Sequence, residues 1–246
     1  MKEQVSGLFA QLLAGMGYIT IAPDAAYQGA SGGYPRLVDR PMNRIEDLHG
    51  AADMISQYPG VDADRLGIFG ICGGGGYTLA AGQTDKRFKA VATLSAFNTG
   101  LVRKNGFLDS QMNTLAERLQ AAAKARALEA ATGEVLYTPN MIDEKSGATE
   151  EVVKKLPFPL YRDGWYYYGK THRHPNSSFA MTQSSLLDLV LFDASAGMGM
   201  IDQPLLMMAG DIADTFYLTE GCYLNNSPLK REGFLGTSAD FSSRSF

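Results

Sequence analysis

Near the start of the chain, Val5, Leu8, Phe9, Leu12, Leu13 and Met16 are apolar among polar neighbours, the spacing of one helical face. An amphipathic core helix ended by Gly17 is expected there. Residues 18–24, "YITIAPD", form a short β-rich run closing on a loop signal. Residues 25–42 carry Gly29, Gly32, Gly33, Pro35 and Pro41 and read as a long loop. Ile45, Leu48, Ala52 and Ile55 then share a face of a second helix, which Pro59-Gly60 stops. Residues 65–71 and 89–96 read as strands, separated by a glycine-rich turn and a short helix near 77–82. Strand, helix, strand, helix, strand in sequence predicts parallel pairing by right-handed crossovers, hence an α/β sheet.

The rhythm breaks after residue 100. An Ala-rich helix at 115–131 precedes a polar, aromatic stretch containing Trp165-Tyr-Tyr-Tyr168, with no strand–helix alternation. The expected organisation is a core of residues 1–100 and 177–246 with a mostly helical cap inserted at 101–176. In the second core segment the pattern predicts a helix at 178–194 and a strand at 204–210. A helix at 217–225 and a strand around 233–235 complete the expectation.

Composition narrows the class. With 246 residues, 45% hydrophobic and 20% charged, the chain can bury a core without disulfide or metal staples. Two cysteines make no disulfide framework, so a reducing cytoplasmic location is expected. A net charge of −4 without a basic run argues against nucleic acid as a partner. No apolar run is long enough to span a membrane, so no membrane partner is expected.

The candidate chemistry lies in "GIFGICGGGGY", residues 67–77. A phosphate-binding P-loop needs Lys then Ser/Thr after its last glycine, and Gly76 and Tyr77 stand there instead. The dinucleotide fingerprint fails at Thr78, where its third glycine should be, and no acid ends the next strand. No cofactor is therefore expected. Gly70-Ile71-Cys72-Gly73-Gly74 fits a nucleophile elbow with cysteine as its central residue. Such a turn projects the central side chain above the sheet and aims the Gly73 N–H at a bound carbonyl oxygen, as an oxyanion donor. Flanking glycines avoid clashes with the packed strand and helix. The alternative is that Cys72 is a small buried apolar residue.

These residues resemble the α/β-hydrolase superfamily, in its dienelactone-hydrolase-like branch, which includes bacterial hydrolases and fungal polyketide transferases. The likeness rests on "APDAAYQGASGGYPR" (22–36), "RIEDLHGAADMI" (44–55), "GICGGGGY" (70–77) and "PLLMMAGDIADT" (204–215). It implies a mostly parallel sheet flanked by helices and a small-molecule acyl substrate (an ester, lactone or thioester) attacked by Cys72. It also implies Asp214, favoured over Asp211, as the acid of a triad. Asp214 could instead cap the helix before Tyr217. Tyr27 in the Tyr-Gln-Gly loop and Trp165 in the cap are candidate substrate contacts, with plain cap packing the other reading of the aromatic run.

The resemblance also implies a histidine after the last strand. The chain holds only His49, His172 and His174, and the expected position falls between Ser238 and Ala239, where none stands. The family's strands before the first helix, with a loop giving the second oxyanion N–H, are likewise missing. On this likeness the chain reads as truncated at both ends, with impaired activity; an inactive remnant or a ligand-binding relative is the alternative. The His-x-His pair at 172 and 174 lacks an evident third ligand, so no metal site is expected. Oligomeric state is not legible.

Overall fold

The computed structural model describes residues 2–225. In chain order, α1 (Gly7–Gly15) and α2 (Pro41–Ser56) precede β1 (Leu66–Ile71), α3 (Gly73–Thr84) and β2 (Phe88–Leu94). Helices α4 (Thr99–Asn105), α5 (Leu115–Thr132), α6 (Glu150–Lys154), α7 (Pro159–Gly164) and α8 (Leu186–Leu189) follow. Then come β3 (Leu205–Met208) and α9 (Phe216–Leu224). The sheet has order β1-β2-β3, and both pairings are parallel. The strand expected around 233–235 lies outside the described residues.

Register explains how the sheet is covered. Ile68 pairs with Val91 and Val91 with Leu205, while Gly70 pairs with Thr93 and Thr93 with Met207, so these residues share a face. Against it pack Leu79, Ala194, Met198, Ile201 and Cys222, the main buried cluster. Gly82 lets α3 come close to the sheet, since a Cβ there would lie 2.8 Å from Val91 Cγ2. A second cluster joins Ala52 of α2 to Leu66, Ala81 and Phe88.

Three expectations are corrected. Helix α1 forms, but it is not a buried core helix: none of its residues is buried, and Leu12 and Met16 are 49% and 73% exposed. It meets the opposite sheet face through Phe9, edge-on to Phe69 at 5.6 Å. Residues 18–24 make no ladder, because β-formers need a neighbouring strand to complete their hydrogen bonds and the described sheet supplies none beside them. The helix expected at 178–194 is broken into a 3₁₀ turn (Gln183–Ser185) and the single turn of α8. The backbone N–H of Thr182 donates to Leu37 O (3.1 Å) and that of Gln183 to Leu136 O (2.8 Å), so neither can close a helical bond. The Thr182 and Ser185 hydroxyls bond each other at 2.6 Å, which further favours the turn.

The 101–176 segment is helical, with no β-strand among its described residues and a lone bridge from Tyr137 to Thr182. Helix α5 ends on Gly133 in the left-handed conformation, a cap that suits glycine. No helix among the described residues is long and apolar enough to cross a membrane.

Candidate active site

Cys72 stands between β1 and α3 with φ +53° and ψ −126°, a region β-carbon residues rarely occupy. Three backbone bonds hold it there. Its N–H donates to Leu94 O at 3.0 Å, and its carbonyl accepts from Gly75 N (2.8 Å) and Phe97 N (3.0 Å). The strain is therefore fixed by the first turn of α3 and the end of β2 together.

The glycines do different work than the motif alone suggests. A Cβ at Gly70 would overlap Thr78 Oγ1 and come within 2.6 Å of Gly74 O, so the glycine before the cysteine is sterically required. Gly74 has open space, contrary to the expectation that both flanking glycines prevent clashes. The close approaches behind the cysteine fall at Gly75, 3.0 Å from Ala96 Cα, and Gly76, 2.5 Å from Phe97 O.

The Cys72 thiol is solvent-accessible on its open side. Protein crowds its other sides, and the resulting desolvation raises its pKa, partly opposed by a hydrogen bond from the Gly73 N–H. At neutral pH the thiol is thus protonated, and a base is needed to make the nucleophile. Cys222 contrasts with it: fully buried in the main core, its thiol is pushed up to about 12 by burial.

Asp214 is engaged elsewhere than on Cys72. Its Oδ2 accepts from the Leu160 N–H at 2.9 Å, capping the start of α7; burial chiefly raises the nearby Tyr161 and Tyr217 phenols, and the Asp214 charge adds a little to it. It does cap a helix, but α7 rather than the one before Tyr217. The three histidines also have partners of their own. His49 Nδ1 is 3.0 Å from Asp85 Oδ2, at the opposite end of the sheet. His172 stacks on Tyr167 at 4.1 Å, and His174 Nδ1 accepts from Asn176 N at 3.2 Å. No cluster of three metal-ligating side chains occurs among the described residues. The position between Ser238 and Ala239 lies outside the described residues.

Tyr27 is held by its own loop. Its backbone takes φ +67°, its N–H donates to Gly32 O at 2.7 Å, and its ring lies over Gly33. Asp24 organises that loop, accepting from Ala30 N and from the Lys2 ammonium. Trp165 is 2% exposed, donates from Nε1 to Ala148 O at 2.8 Å and stacks under Lys170. The aromatic residue whose charge couples to Cys72 is Tyr168, whose phenol is raised chiefly by desolvation and secondarily by the thiolate. Residues 165–171 are wound as a π-helix, which moves side chains off the faces that α-periodicity assigns; winding of this kind is common at functional sites. The run "WYYY" was the signal available, and its winding was not.

The wall beside the elbow was not anticipated either. Tyr77 and Thr99 are each 7% exposed, and Tyr77 Oη has no hydrogen-bond partner. Burial, foremost, raises the Tyr77 phenol, and the neighbouring Thr99 hydroxyl, able to hydrogen-bond the charged form, opposes that rise. Leaving such a hydroxyl unpaired costs roughly 1–3 kcal/mol. An open cleft of about 750 Å³ lies away from Cys72, at the N-terminal ends of β1 and β2. It is lined by His49, Asp64, Asp85, Arg87 and Lys89 among others. Strand order and elbow geometry, rather than cleft size, locate the candidate chemistry.

A parallel sheet flanked by helices, with a strained residue at the carboxyl end of β1 where a helix begins, is the arrangement of α/β hydrolases. No family model matches the chain. It is 33% identical over 226 residues to the uncharacterized protein YcjY of Escherichia coli K12, covering 91% of this chain and 71% of YcjY. It is 36% identical over 230 residues to the uncharacterized protein PA2218 of Pseudomonas aeruginosa, covering 91% of this chain but 59% of PA2218. The crystal structure of PA2218 matches with a TM-score of 0.80 at 34% identity, over 93% of this chain and 70% of that one. The Penicillium polyketide transferase GrgF is 35% identical over 94 residues, 37% of this chain and 32% of GrgF. Its crystal structure, that of an α/β hydrolase, matches with a TM-score of 0.69 at 21% identity, covering 92% of this chain and 74% of that one. The chain belongs to the α/β-hydrolase-like family that includes YcjY and PA2218.

Proposed function

We propose that the chain is a cysteine-dependent hydrolase or acyl transferase for ester, lactone or thioester carbonyls, with its turnover impaired. The observation that carries this reading is Cys72 itself, strained to φ +53° at the head of α3 with its thiol open to solvent. In the reaction, the Cys72 thiol loses its proton to solvent, the thiolate forms a bond to the carbonyl carbon, and the carbonyl π electrons move onto oxygen, toward the Gly73 N–H. Collapse expels the alkoxide or thiolate leaving group and leaves an S-acyl cysteine. Water or a second nucleophile then releases the acyl group.

Impairment follows from the base. The thiol is raised by desolvation, and His49, His172 and His174 are engaged with Asp85, Tyr167 and Asn176. Without a base both acylation and release are slow; an activated ester, whose leaving group departs without a proton, still acylates Cys72, and the acyl-enzyme then hydrolyses slowly. The fungal relative's name, polyketide transferase, supports an acyl-transfer substrate class. The test is mass spectrometry of the chain after exposure to p-nitrophenyl acetate. One acetyl group on Cys72, released slowly, is expected; acetylation of Cys72→Ala to the same extent would refute the assignment.

A further inference from the structure

Gly73 and Tyr77 are four residues apart on α3 and share a face. That face looks onto the first residue of α4. A Cβ placed on Gly73 would lie 3.6 Å from Thr99 Oγ1. Thr99 is fixed there by Asn98, whose Oδ1 accepts from Leu101 N and Ala194 N while its Nδ2 donates to Asp193 Oδ1 at 2.7 Å. Behind Thr99, the Tyr77 ring packs on Phe192 at 5.1 Å and ends in an unpaired, buried Oη. The Thr99 hydroxyl thus lies beside Gly73, the residue after the nucleophile, and the Tyr77 hydroxyl is buried with its hydrogen bond unspent.

We propose that Thr99 is a catalytic hydrogen-bond donor of the Cys72 site. Its hydroxyl, with the Gly73 N–H, binds the carbonyl oxygen as that oxygen becomes an oxyanion. Tyr77 is its positioning residue: the Tyr77 hydroxyl donates to Thr99 Oγ1 and turns the Thr99 proton toward the substrate. The inference rests on the reading of Cys72 as the acylated nucleophile. A modest rotation of Thr99 pairs both hydroxyls at once when a substrate oxygen is present, and hydrogen bonds in such a chain strengthen one another. Burial, foremost, holds the Tyr77 phenol protonated well above neutral pH, so it remains a donor. Donors fixed before the reaction stabilise developing charge without reorganisation, which is why one such hydrogen bond affects rate so strongly.

The test compares two reactions of Cys72 in the 246-residue chain. Acylation by p-nitrophenyl acetate passes through an oxyanion; alkylation by iodoacetamide is a direct displacement and does not. Thr99→Val should slow acylation by about 10- to 100-fold and leave alkylation unchanged, while Thr99→Ser restores acylation. Tyr77→Phe should slow acylation by about 3- to 10-fold, again without changing alkylation. Acylation of Thr99→Val at the wild-type rate would overturn the role of Thr99 alone. A parallel fall in both reactions would reduce Thr99 to a packing residue. Alkylation without acylation in the wild-type chain would overturn the nucleophile reading, and this inference with it.

Discussion

The two ends of the sheet differ in how their polar groups are satisfied. At the N-terminal end of β1 and β2, His49, Asp53, Asp85 and Arg87 form a paired network. Arg87 Nε and Nη2 reach Asp85 at 2.9 and 2.6 Å, Nη1 meets Asp53, and His49 completes Asp85. The Arg87 guanidinium, with smaller help from His49, holds the Asp85 carboxyl well below the usual carboxylate range. At the C-terminal end the backbone of Cys72 is strained. The two buried unpaired hydroxyls found among the described residues, Tyr77 Oη and Thr93 Oγ1, both lie at this end, Thr93 beside Gly70 in register. An open cleft belongs to the paired end and the unfinished chemistry to the other. Stability concentrates where groups satisfy one another; groups left unpaired under strain are available to a ligand.

Five measurements bear on that contrast. The largest effect belongs to Cys72→Ala, which should reduce stoichiometric labelling by acyl esters by on the order of 10³-fold or more, read by intact mass. Next is Gly70→Ala. Its new methyl has no room against Thr78 and the Gly74 carbonyl, so denaturant unfolding should show a loss of about 1–3 kcal/mol. Gly74→Ala faces open space and should instead be neutral or stabilising by up to about 1 kcal/mol. A destabilised Gly74→Ala would contradict the division of labour among these glycines.

Arg87→Ala should cost ~1 kcal/mol, since the pair is partly exposed, and should leave Cys72 acylation unchanged. A lowered acylation rate would show that the two ends are coupled. The smallest signal is a pH dependence at the same place. The folded-state pKa of Asp85 is depressed, so its contribution is fully present above the ordinary carboxylate value of about 4. It is lost as pH falls through the lower folded value. The stability gap between wild type and Arg87→Ala should be flat from neutral pH down to about 5 and narrow below about 4. A gap that widens on acidification would contradict the assignment of Asp85 as the depressed group.

The elbow was legible in the sequence because its causes are local. A strand-forming run, glycine where a side chain would collide one turn on, and a helix start all fall within residues 65–84, and the structure places β1, Cys72 and α3 there. The helices at 45–56 and 115–132 were legible for the same reason, since periodicity and end signals travel with the segment. Tertiary structure alone decided the rest. It brought Thr99 beside Gly73 across 26 positions, put Asp214 on the α7 N-terminus, and wound residues 165–171 as a π-helix with Trp165 buried against Ala148. It gave the backbone of residues 182 and 183 to other segments and so broke an expected helix, and among the described residues it paired no strand with 18–24. Backbone preference is written into neighbouring residues. Which side chain faces Cys72, and which hydrogen bond goes unmade, depends on segments far apart in the chain that share a site only after folding.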